Sequence, residues 1–149
     1  MAIKNLINYI SLLLIHSFVF ITPLLAHEGA TGIIKERMDK FKMSKKMMQT
    51  IHRSIQNEDF ETIGKSGITL LKWSKEMINY FPKGSDEAPS ESSRDIWLDP
   101  EGFKKAVNNF EIASLKLINI SKEKDFEKTV DSFRSLAGTC KGCHQKFRN

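Results

Sequence analysis

Outside one polar stretch, apolar side chains between residues 33 and 147 return every three or four positions, and nowhere do they alternate at the two-residue period of a strand. A chain patterned this way buries its apolar surface by packing helix against helix. Four runs carry the pattern. Residues 33–55 contain no Gly or Pro and set Ile34, Met38, Phe41, Met48 and Ile55 on one stripe, with Thr31 as the expected N-cap. Residues 59–80 bring Phe60, Ile63, Leu70, Leu71, Met77 and Ile78 to one broad face and stop at Pro82. Residues 101–121 carry Phe103, Val107, Phe110, Ala113, Leu117 and Ile120. After the short turn SKEKD, residues 124–147 carry Phe126, Val130, Phe133, Leu136, Cys140, His144 and Phe147. Between the second and third runs lies PKGSDEAPSESSRDIWLDP, rich in Ser, Pro and charge. Its polar part is expected to be mobile, with Ile96 and Trp97 pinning its far end to the core. The expected fold is all-α: an antiparallel four-helix bundle with one long crossover connection between the second and third helices.

The first 26 residues are of a different kind. Lys4 precedes the apolar run ISLLLIHSFVFITPLL, and LLA at Ala26 leads into polar HEGATG, the layout of a signal peptide over residues 1–26. The competing reading is an uncleaved membrane anchor, since the run is near the lower end of spanning length. Cleavage after Ala26 leaves residues 27–149 as the exported domain, periplasmic and with no membrane attachment. It also removes Lys4 from the 23 basic residues, leaving 22 against 18 acidic ones. That mild, dispersed excess lacks the clustered cations and interleaved aromatics of a nucleic-acid surface. It does suit docking to an acidic redox partner.

Both cysteines of the chain stand in CKGCH, near its end. In C-x-x-C-H, two thiols one helical turn apart can each add to a vinyl group of a haem while the adjacent imidazole reaches the iron. On a helix Cys140, Cys143 and His144 share a face. A thioredoxin-type dithiol would need a strand and a βαβ setting, which this chain lacks. A zinc site would need a further ligand cluster, and none exists. A disulfide between residues three apart closes almost no loop and stabilises little. Of the other histidines, His16 belongs to the signal segment and His27 to the new N-terminus. His52 lies about 16 Å past Phe41 along its helix, which fits a capping or surface role.

Beyond the motif, IIKERMDKF, YFPKGS followed by IW, and the ending CKGCHQKFR together resemble the class II cytochromes c, the cytochrome c′ family of four-helix-bundle c-type cytochromes. The resemblance covers the whole of 27–149. It implies one covalently attached haem c per chain, with Cys140 and Cys143 as the thioether attachments and His144 as the proximal iron ligand. It sets Arg37 near the haem propionates or the distal side, and makes Leu70, Leu71, Trp73, Trp97, Phe133 and Phe147 candidates for pocket walls or core. At the position four after the arginine, members of the family carry methionine when the iron is six-coordinate and an apolar residue when it is open. Phe41 stands there, so the resemblance implies an apolar distal side with no ligand. Of the nearby methionines, Met43 points away and Met48 is about 10 Å further along, so Met38 is the one candidate for a distal ligand after a slight helix rotation.

Two functions stay open on these residues: single-electron transfer by an exported c-type haem protein, or five-coordinate binding of a small gas, NO or CO, at an open distal site lined by Phe41. No carboxylate pair, activated nucleophile or phosphate loop points to an enzyme. The expected partners are redox proteins without a signature of their own here. Homodimerisation through the first two helices is implied by the resemblance, although Lys40, Lys45 and Lys46 argue against a tight interface there.

Overall fold

A computed structural model describes residues 29–149. The expected signal segment, residues 1–26, lies outside the described residues. Four long helices form as the periodicity predicts: α1 Gly32–Gln56, α2 Phe60–Glu76, α3 Pro100–Glu123 and α4 Phe126–Phe147. Three of them start on an aspartate. The carboxylates of Asp59, Asp99 and Asp125 accept from the amides of Thr62 (3.0 Å), Gly102 (2.9 Å) and Lys128 (3.0 Å), and Pro100 follows Asp99 at the first helical position. Thr31 does not cap α1 with its side chain. The chain enters that helix through Gly32 at φ 54°, which leaves the Thr31 hydroxyl off the helix amides. Two tight turns make successive helices antiparallel, each with a non-glycine residue in the left-handed region, Glu58 at φ 52° and Lys124 at φ 54°. SKEKD is therefore mostly helix, only Lys124 and Asp125 lying between α3 and α4.

The second helix departs from expectation at its end. Residues Met77–Tyr80 tighten into a 3-10 turn. At 120° rather than 100° per residue, the face rotates, so Met77 stays in the core while Ile78 is 43% exposed.

Packing is uneven around the bundle. α2 lies closely along α3, α3 along α4 and α1 along α2, whereas α1 and α4 meet sparingly. Ile51, Ile63, Leu70, Trp73, Leu117 and Leu136 are essentially inaccessible at the centre. The α2–α3 seam is close because of two glycines. A Cβ on Gly67 would stand 2.8 Å from Ile118 Cγ1, and one on Gly64 3.0 Å from Ser121 Oγ. Among the described residues no helix is long and apolar enough to cross a membrane.

The connection is not the mobile segment its composition predicts. Ile96 is buried and Trp97 Nε1 donates to Phe81 O (3.1 Å), as expected of its far end. Its polar part is fixed as well: Ser85 and Ser92 are buried, and the amides of Ser93 and Asn149 donate to Phe147 O (3.1 Å) and Glu91 O (2.9 Å). A one-turn helix, Asp95–Leu98, closes the segment before α3.

Two outcomes follow from this architecture. Gly67→Ala gains about 1 kcal/mol of helix propensity but forces overlap with stiff Ile118, a cost of about 1–3 kcal/mol, so the melting temperature falls. Gly138→Ala, with nothing within 4 Å of the added Cβ, raises it by the equivalent of about 0.5–1 kcal/mol. The second concerns pH. Asp99 is held below the usual carboxylate range, first by Lys146 and then by the Gly102 amide; Asp59 is lowered by Thr62 and Asp125 by the Lys128 amide. A depressed folded pKa contributes stability above about pH 4 that is lost as the pH falls through it. Melts recorded between neutral pH and about pH 3 should fall less steeply for Asp99→Asn, which keeps the acceptor for Gly102 and loses the charge.

Candidate functional site

The last helix is built to present its C-terminal half. Thr129, Ser132, Leu136 and Phe147 are buried along one stripe, which seats α4 on the core. Cys140 and Cys143, one turn apart, are free and half-buried next to that stripe, and Cys143 packs against the core. The Cys140 thiol points back to Leu136 O at 3.8 Å. Burial pushes both thiols up, Cys143 to about 11 with a further contribution from Cys140. These are neutral thiols in an apolar wall, the reverse of the depressed pKa that makes a dithiol a redox nucleophile. Among the described residues, no group of three or more His, Cys, Asp or Glu is placed to hold a metal ion.

His144 is exposed beside them. Its pKa is lowered by loss of solvent and then by Arg148, against an opposing pull from Glu91. The neutral imidazole is the form that ligates metals.

What faces this end of α4 is set by register. The rings of His52 on α1 and Phe133 on α4 stack at 6.0 Å and 27°. Phe41 stands eleven residues before His52, and His144 eleven residues after Phe133. In antiparallel helices, both therefore lie about 16 Å along from the stacked pair, at one level. There the helices leave their side chains uncovered: Phe41 is 36% exposed, although one edge is held by Trp73 (5.6 Å) and Phe81 (6.4 Å). Trp73 beneath it is buried, and its Nε1 has no hydrogen-bond partner among the described residues. Apolar Phe41 on α1, and Phe133, two neutral thiols and an imidazole on the facing stretch of α4, are together the residue types that could hold a haem.

Two of the expected distal residues are elsewhere. Arg37, expected near the propionates or the distal side, is 2% exposed and turned into the connection. It donates to Tyr80 O (2.8 Å), Ser85 Oγ (2.9 Å), Ser85 O (2.6 Å) and Ser90 Oγ (2.8 Å), and lies 4.4 Å over the Phe81 ring. With these acceptors taken up, it has no free fork for a carboxylate. Met38, the alternative iron ligand, stands in a polar groove with Thr31, Lys35, Asp39 and Lys42, and not among the side chains packed on the core. Of the other expected wall residues, Leu70, Trp73 and Phe147 are core, and Leu71, Trp97 and Phe133 are half-buried. His52 is exposed, in keeping with the surface role expected for it.

The family model described as Cytochrome C′ matches residues 32–148. The chain belongs to the cytochrome c′ family. A cytochrome c′ from Rubrivivax gelatinosus is 36% identical over 76 residues, a match that spans 50% of this chain and 59% of that relative's length. The crystal structure of cytochrome c′ from the same organism superposes with a TM-score of 0.70 at 26% identity, covering 78% of this chain and 94% of that one. A nitric oxide complex of a cytochrome c′ variant from Alcaligenes xylosoxidans shares the fold, with a TM-score of 0.70 at 20% identity over 78% of this chain and 94% of that one. Cytochrome c′ membership makes this a haem protein, and the all-α four-helix bundle is the family's fold.

Proposed function

We propose that this cytochrome c′ family member is exported to the periplasm, carries one haem attached through Cys140 and Cys143 with His144 as its proximal ligand, and reversibly binds a small uncharged gas, NO or CO, on the opposite side. The observation behind the reading is the register of α1 against α4, which brings Phe41, a side chain with no ligating atom, to the level of His144. Of the nearby sulfurs, Met38 lies off the core, and Met43, expected to point away from Phe41's face, packs against that core. When bound, haem supplies an iron that takes a diatomic ligand and exchanges one electron. The chain's part is to hold the two thiols in apolar surroundings, to keep the His144 imidazole neutral, and to put an apolar ring where a ligand arrives, which favours an uncharged molecule and restricts a large one. The nitric oxide complex of the Alcaligenes protein supports the assignment by analogy. Binding in this way requires no substrate turnover, so the chain is proposed as a binding protein and not as an enzyme.

A second reading, single-electron transfer, is favoured by exposed cations on the same stretches of α1 and α4. Lys45 stands one turn beyond Phe41 and Lys141 one turn before His144, both exposed, a cationic rim suited to an acidic redox partner.

A haem-stained denaturing gel of the exported protein should show a covalent haem band, lost in the Cys140→Ala, Cys143→Ala double variant; a colourless protein would end the reading. The optical spectrum of the reduced protein should change on adding carbon monoxide. A six-coordinate spectrum that carbon monoxide leaves unaltered would exclude the open site and leave electron transfer as the function.

A further inference from the structure

The α1–α4 interface is thin, and the His52–Phe133 stack lies about 16 Å from the level of Phe41 and His144. At that level the two helices are joined by the connection instead. Arg37, one turn before Phe41, grips it from α1 at Tyr80, Ser85 and Ser90. From the other side the end of α4 is stitched to the next three residues: Ser92 bridges Arg148, Arg148 pairs with Glu91, the Asn149 amide donates to Glu91 O and the Ser93 amide to Phe147 O. The two sets of contacts meet at one atom. Ser90 Oγ accepts from Arg37 (2.8 Å) and also from the Ser92 amide (3.1 Å).

The energetics mark the arginine as unusual. A guanidinium that is 2% exposed and bonded only to carbonyls and hydroxyls forgoes water without gaining a carboxylate in hydrogen-bond contact, an arrangement that costs stability. What it supplies is geometry. A rigid fork spans Tyr80 O, Ser85 and Ser90 at once while its plane lies on Phe81, whose ring in turn meets Phe41. An ammonium cannot reproduce that span.

We propose that Arg37 is a positioning residue for the distal side: through the connection it fixes the Phe81 ring, and with it Phe41, relative to the end of α4 that carries His144. This rests on the open-site reading above. The clamp, and not α1–α4 packing, then sets how closely Phe41 covers the ligand's approach. Loosening it opens that approach and frees the connection around exposed Lys83.

The test uses the haem-loaded protein and two readouts. In Arg37→Lys, trypsin cleavage after Lys83 should accelerate at least tenfold, and carbon monoxide association with the reduced protein should accelerate about tenfold. Ser90→Ala, which keeps Arg37 on Tyr80 and Ser85 but cuts its link to Ser92, should move both in the same direction by less. In a Phe41→Ala background, Arg37→Lys should leave carbon monoxide association almost unchanged, because the ring it positions is gone; trypsin cleavage should still accelerate. Association rates that are unchanged by Arg37→Lys, or that combine additively with Phe41→Ala, would overturn the proposal while leaving the open site intact. Wild-type protein that takes up no carbon monoxide would overturn the open-site reading, and this proposal with it.

Discussion

A four-helix bundle normally closes because each helix packs on two neighbours. Here one of the four interfaces is thin, and the bundle holds its shape around that gap. Two of the other interfaces are closed by tight packing, and the gap itself by other means. Along α2 and α3, Gly64 and Gly67 bring the backbones close enough for Ile118 and Ser121 to fill the seam. Along α3 and α4, Phe103 and Phe147 meet edge to face at 5.4 Å. Across the gap, a polar connection does what side-chain packing would otherwise do, with a buried arginine as its fastening on one side and a backbone stitch to the C-terminus on the other. On this side the bundle is closed by loop contacts rather than by α1–α4 packing.

How much of this could be read in advance follows the range over which each signal acts. Helix existence and type depend on residues three and four apart, so the apolar stripes locate all four helices to within a few residues. C-x-x-C-H is equally local, and Cys140, Cys143 and His144 do fall within one turn of α4. Thr31 shows the limit even at short range. It is a good capping residue by type, and a positive φ at the next position removes it from capping.

The fixing of the connection has a longer-range cause. Serines in a polar stretch look alike in sequence, and nothing near Ser85 or Ser90 marks them as acceptors for a guanidinium 48 and 53 residues away. The resemblance sets Arg37 near the haem propionates or the distal side, whereas the neutral acceptors it has are supplied by a segment whose path sequence does not reveal. Phe41 has no ligating atom whatever its surroundings. That it stands level with His144 depends on the His52–Phe133 stack, a pairing between helices at opposite ends of the chain.

The exposure of Phe41 carries one more step. An aromatic ring left 36% accessible, beside an indole N–H with no partner among the described residues, is apolar area and a polar donor both left unused by the polypeptide alone. Each is a cost that a flat, apolar group with polar edges can recover, at about 25 cal/mol for every Å² of apolar surface it covers. The folded chain is thus biased toward a cofactor before any bond to sulfur or nitrogen is formed. In the proposed reading, attachment at Cys140 and Cys143 and ligation by His144 would set which face of that cofactor α4 holds. On the same reading, the face left to α1 would meet a ring that fills space without supplying a ligand, so selectivity there would come from steric access and polarity, both properties of where Phe41 is held.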